Sequence, residues 1–267
     1  MTNDTLAPLQ FKQAMVALEL GEGDNHLLNY FDFLAQHIPV KATHFLHVLP
    51  SFEAFNAVLK QGGNSLISNM EINDEVLSQM RQKVEKLITN KKISGFSLDI
   101  REGNPLEELL KDAKKVEPDL LVIGQKGNTS EHGILARNLA RRANGDTMIV
   151  PEGAAEQLNH IMVPVDFSKH SIRALHKAIA IKKQFGENIK ISCVHVYKMP
   201  DVSIYKVQKT YQQFQKMVAD DHMDAFRAFV SEHAGKEAEN MELKVIMQEE
   251  PGIAHYLLKN AKAAKAD

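Results

Sequence analysis

The chain has 267 residues, 44% hydrophobic and 25% charged, an ordinary globular balance at a length that suits two domains better than one. Lys and Arg total 32 against 34 Asp and Glu, and a net charge of −2 supplies no excess for nucleic acid or an anionic membrane. The apolar runs, such as 120–123, are far too short to span a bilayer, and the lone Cys193 excludes a disulfide framework or a Cys-rich zinc site. The opening residues lack the basic and apolar stretches of a secretory leader, so a cytoplasmic location is expected.

Along the chain, short apolar runs at 13–20, 42–49, 94–100, 119–124 and 147–150 read as strands. Helical patterns fall between them at 25–37, 72–89, 105–116 and 134–143, with 51–68 read as a loop or broken helix. In the third helix Leu106, Leu109, Leu110 and Ala113 follow the spacing of one buried face, with Pro105 suited to its first turn. A polar linker at 151–156 follows. The second half then predicts strands at 160–166, 190–197 and 242–248 and helices at 169–184, 205–233 and 252–265. Alternating strands and helices imply a parallel sheet with helices on both faces.

The halves repeat. Met15-Val-Ala-Leu-Glu-Leu20 aligns with Met162-Val-Pro-Val-Asp-Phe167 at an offset of 147. His47-Val48 aligns with His195-Val196, and Leu109-Leu-Lys-Asp-Ala-Lys114 with Leu257-Leu-Lys-Asn-Ala-Lys262, both at 148. Two domains are therefore expected, 1–152 and 157–267. Asp267 aligns with Asp119, so the second is expected to lack the last strands and glycine loop of the first.

Parallel sheets bind ligands beyond the carboxyl ends of their strands. Two features lie there in the first half: Glu19 after the first strand, and the stretch from Gly124 through Gly127 to Gly133 between a strand and a helix. Glycines permit close backbone approach, and a helix start offers N–H groups to a phosphate. Gly21-Glu-Gly-Asp-Asn-His26 half-matches a dinucleotide fingerprint, but His26 stands where the third glycine belongs. The 12 histidines show no HExxH or paired-ligand spacing, so no metal site is expected, and His47 and His195 read as structural. Cys193, mid-strand, reads as an inert buried thiol.

The stretch Asp119-Leu-Leu-Val-Ile-Gly-Gln-Lys-Gly127 and the run from Leu135 to Val150 resemble the closing portion of a universal stress protein domain. His160-Ile-Met-Val-Pro-Val-Asp-Phe-Ser168 resembles the same family's opening strand and turn. The resemblance implies an α/β fold: two tandem doubly wound parallel-sheet domains of the adenine nucleotide alpha hydrolase-like kind, the second lacking its last strands. ATP-binding members carry an acid after the first strand and a Gly-x2-Gly-x9-Gly-(Ser/Thr) phosphate loop. Glu19 and Asp166 take the acid positions, while Gly124 and Gly127 match the first glycine pair. Gly133 follows after five residues rather than nine, and Ile134 replaces the hydroxyl residue, forfeiting a phosphate hydrogen bond of roughly 1.5–3 kcal/mol.

These readings lead to a cytoplasmic stress-response module with a degenerate nucleotide site in its first domain, weak for ATP and holding no obligatory cofactor. It is expected not to be an enzyme. The alternative from another class is a slow ATP-binding and hydrolysing enzyme of the same fold, which needs an organised phosphate cradle. A third reading is a carrier of an apolar ligand. The apolar strand from Thr147 to Val150 is expected to join two copies into a homodimer, because an unpaired edge templates another strand.

Overall fold

The computed structural model describes residues 7–50, 69–89, 93, 95–125, 130–200, 211–250 and 252–267. The predicted loop at 51–68, the start of the 205–233 helix and Gly127 lie outside them. The chain divides into two compact units: Gln10–Glu156, and Gln157–Asp267 together with the described residues before Gln10.

The first unit contains β1 (Phe11–Leu18), α1 (Gly23–His37), β2 (Val40–Leu49), α2 (Asn69–Leu87), β3 (Phe96–Glu102), α3 (Pro105–Val116), β4 (Leu120–Gln125), α4 (Ser130–Arg142) and β5 (Asp146–Pro151). Its five strands are all parallel, in the order β3-β2-β1-β4-β5. α1 and α2 cover one face, and α3 and α4 the other. The central strands are buried on both faces: Ala14, Met15, Val16, Phe45, Leu46 and Val122 are fully enclosed. That is why β1, β2 and β4 read as continuous apolar runs rather than alternating ones.

Local chemistry sets the element boundaries. α3 begins where the Asn104 side chain accepts from the N–H groups of Leu106 and Glu107, with Pro105 in the first turn, and it ends with Glu117 in the left-handed region at φ 48°. Glu107 and Glu108 near its start and Lys114 and Lys115 near its end suit the helix dipole. Gly145 feeds β5 at φ +106°, where a Cβ would stand 2.8 Å from the Pro118 carbonyl oxygen. Only glycine fits that crossing.

The second unit contains β6 (His160–Pro164), α5 (Lys169–Phe185), β7 (Lys190–Lys198), α6 (Tyr211–Ala234), a 3-10 helix (Gly235–Asn240), β8 (Glu242–Gln248) and α7 (Ile253–Ala264). Its parallel sheet has the order β6-β7-β8. One core joins Val163, Leu175, Ile179, Cys193, Phe226 and Val230. Burial pushes the Cys193 thiol up to about 12, so it stays protonated and inert.

Residues aligned at those offsets make matching hydrogen bonds. The Asp119 carboxylate accepts from the N–H groups of Lys12 and Gln13, and Asp267 accepts from those of Asn159 and His160. The N–H of Asp119 donates to Gln13 and that of Asp267 to His160, both at 3.0 Å. α3 and α7 end on matching left-handed residues, Glu117 and Lys265. Their faces differ in cover: Leu109 is buried beside Ala136 and Leu139 of α4, whereas α7 has no buried residue and Leu258 is 63% exposed. Among the described residues no helix is long and apolar enough to cross a membrane.

Candidate functional site

The strand order of the first unit reverses between β1 and β4, and their carboxyl ends diverge there, as ligand crevices of parallel sheets require. A cavity of about 330 Å³ opens at that point. Glu19, one residue past β1, and Gly124 with Gln125, at the end of β4, line it together. Pro50, Pro105, Leu109 and Ile123 give it apolar wall, and Asp24, His47 and Glu152 add polar groups.

The turn carrying Glu19 is held by a buried carboxylate. Leu20 sits in the left-handed region at φ 61°, a conformation leucine disfavours. Asp24, at the start of α1, offsets that strain by accepting from the N–H groups of Glu19 at 3.0 Å and Leu20 at 2.7 Å. Burial raises the Asp24 pKa, opposed by the Glu19 N–H and the charge of Lys83. Lys83 of α2 lies 3.6 Å from the Asp24 carboxylate and also donates to the Gly21 carbonyl. His47 Nδ1 donates to the Leu18 carbonyl at 2.8 Å, fixing its ring beside the cavity.

The second unit builds the same turn with different atoms. Phe167 adopts φ 62°, and the Ser171 hydroxyl, where the first unit has Asp24, accepts from the Asp166 N–H at 3.0 Å. The Asp166 carboxylate accepts in turn from Ser168 and Ser171. Those bonds lower its pKa to about 2, the Ser168 contribution being largest. His195 Nδ1 donates to the Val165 carbonyl at 2.8 Å, as His47 does to Leu18.

Two of the sequence-predicted site residues therefore meet at one cavity, Glu19 and Gly124. Asp166 belongs to the second unit at the place equivalent to Glu19. Gly127 is outside the described residues. Gly133 lies within α4, not in a loop: the helix has begun by Ser130, which corrects the reading of a phosphate loop reaching from Gly124 to Gly133. Gly124 is not held at positive φ, and a Cβ there would meet only Leu27 at an ordinary 3.9 Å. Its backbone conformation does not demand glycine. Sequence reasoning missed Asp24, hidden in the Gly-Glu-Gly-Asp stretch, and the place of His47 in the lining. Their positions relative to the strand end, and the recurrence of His47 as His195, are the signals that mark them.

A second polar cluster was also not legible in the sequence. His44 accepts from Ser97 Oγ at Nδ1, 2.8 Å, and donates from Nε2 to Asp112 at 2.7 Å. His44, Asp99 and Asp112 bring their ligand atoms close enough for one cation. The Arg101 guanidinium already bridges the two carboxylates, at 2.7 Å from Asp99 and 2.8 Å from Asp112. The cluster joins α3 to β2 and β3 as a hydrogen-bonded network in which His44 and Asp112 are buried and Asp99 and Arg101 partly exposed.

The profile of the universal stress protein family matches residues 10–151, more than half of the chain and nearly the whole of the first unit. The chain belongs to this family. Among solved structures, a universal stress protein from Archaeoglobus fulgidus is similar over 95% of this chain and 82% of its own, at 17% identity and a TM-score of 0.60, which shows a shared fold. A universal stress protein family protein from Arabidopsis thaliana with AMP bound aligns over 54% of this chain and 93% of its own, at 18% identity and a TM-score of 0.37. An Archaeoglobus fulgidus universal stress protein in complex with dAMP aligns over 52% and 97%, at 17% identity and a TM-score of 0.34. No curated protein matches the chain.

Proposed function

We propose that the chain is a cytoplasmic stress-response module whose first unit holds an adenine nucleotide weakly and without turnover, the second unit being a diverged copy of the same domain. The observation that carries this reading is the cavity at the reversal between β1 and β4, bounded by Glu19 on one side and Gly124 on the other. Its apolar wall suits a base, and an acid after β1 suits a sugar hydroxyl. The phosphate side is the weak part. The described lining includes the carboxylates of Glu19, Asp24 and Glu152 and no Lys or Arg, and Gly133 is spent inside α4. Hydrolysis would need donors clamped on the transferred phosphoryl group, which this lining does not supply.

Titration calorimetry with ATP on the full chain tests the reading. We expect binding no tighter than about 100 µM, or roughly −5.5 kcal/mol. Submicromolar affinity, or steady release of phosphate from ATP, would favour the enzyme instead.

A further inference from the structure

We propose that His195 and His222 form a two-histidine site for a late first-row divalent cation such as Zn²⁺ at the strand ends of the second unit. His195 is on β7, and its Nδ1 is committed as a donor to the Val165 carbonyl. Its Nε2 therefore carries the free lone pair, directed at His222 Nδ1 on α6 at 3.2 Å. A backbone carbonyl on the remote ring nitrogen is the outer-shell contact that orients metal-binding histidines and sharpens their basicity.

The ring geometry matches a shared ion. Two imidazoles bound to one Zn²⁺ at about 2.0–2.1 Å, at a near-tetrahedral angle, place their nitrogens roughly 3.2–3.4 Å apart and their ring centres about 5 Å apart. Here the nitrogens are 3.2 Å apart and the ring centres 5.2 Å. The same spacing serves an N–H···N hydrogen bond, so the cation takes the place of the proton on His222 Nδ1, and that proton moves to Nε2 of the same ring. No new backbone position is needed.

Both rings are held before any ion arrives. Tyr197 stacks on His222 with ring centres 4.3 Å apart, and Phe167 lies against His195 at 4.5 Å. His195 is buried and His222 half-buried. Among the described residues no third His, Cys, Asp or Glu closes the set, so the other positions of the ion fall to water or a small ligand. The pair comes from two different elements 27 residues apart, so no sequence spacing announces it.

The test is Zn²⁺ titration of the full chain, followed by calorimetry and by the ring ¹⁵N signals of its histidines. The proposal expects one equivalent to bind with His195 Nε2 and His222 Nδ1 moving first and together. His222→Phe, which keeps a ring against Tyr197, should weaken binding at least tenfold, and His222→Gln should do the same. His26→Phe, on the exposed start of α1 in the first unit, should leave it unchanged. Circular dichroism confirms that each variant is folded, and the ring signals of the unmutated chain decide the matter even if one is not. Unchanged affinity in a folded His222 variant, or other histidines responding first, overturns the proposal.

Discussion

Asp24 and Ser171 solve one problem with different chemistry. Each holds a turn whose middle residue is left-handed, Leu20 in one unit and Phe167 in the other. Asp24 does so with a carboxylate only 3% exposed, at the desolvation cost that raises its pKa. Exchanging it for the other unit's residue should therefore be mild. Asp24→Ser is expected to change stability by less than about 1 kcal/mol, because a hydroxyl still accepts from the turn and Lys83 keeps the Gly21 carbonyl. Asp24→Ala leaves two N–H groups without an acceptor and should cost about 1–3 kcal/mol in urea unfolding. Equal losses in both variants would mean the charge, not the acceptor, holds the turn. Asp166 carries a pH signature. Its folded pKa, about 2, lies below the ordinary carboxylate value, so its contribution to stability is full above about pH 4 and is lost as pH falls towards 2. Because the side chain is exposed, the effect is screened and small. Thermal melts between pH 5 and 2 should show a steeper fall for the unmutated chain than for Asp166→Asn; parallel curves would remove Asp166 from the account. At this scale the place of Glu19, just past β1, was legible, because an acid after an apolar run is a pattern. Asp24 was not, since its role depends on φ at Leu20.

Among elements, those with strong end signals were the most legible. The third helix, with Pro105 in its first turn and Pro118 beyond its end, was predicted at 105–116 and is found at Pro105–Val116. β1 runs two residues earlier than predicted, Phe11–Leu18, because its start pairs with Val40 and its end is cut by the turn at Leu20. The helix predicted from Ile134 begins by Ser130, so the polar stretch read as loop is partly helix. β5 is the outer strand of its sheet, with Ile149 38% exposed. Asp146 and Glu152 donate to Asp119 and Gln125 beside β4, and by the alternation of a parallel ladder the N–H groups of Thr147 and Ile149 face away from it. We propose a homodimer closed by two such edges. Ile149→Pro removes an outward donor and leaves the β4 side intact, so it should convert the dimer to monomer in light scattering. A monomeric parent, or a folded dimer in the variant, contradicts the pairing.

In the whole molecule, the offsets of 147 and 148 were the pattern most legible in the sequence. The structure shows what those offsets preserve: the aspartate accepting at the first strand, the histidine on the strand-end carbonyl, and the left-handed turn between β-strand and helix. It also shows what they do not. Glu19 lines a cavity, while Asp166 is engaged by two serines and His195 faces a second histidine. These differences were hidden in the sequence because they reside in contacts across elements. We propose that the first unit alone holds the nucleotide. Amide chemical-shift mapping during titration with ATP at millimolar concentration tests it most directly. We expect graded, fast-exchange shifts at Glu19, Leu20, Gly124 and Gln125, with Asp166 and Phe167 unmoved; shifts centred on Asp166 and Phe167, or none in either unit, would overturn this proposal.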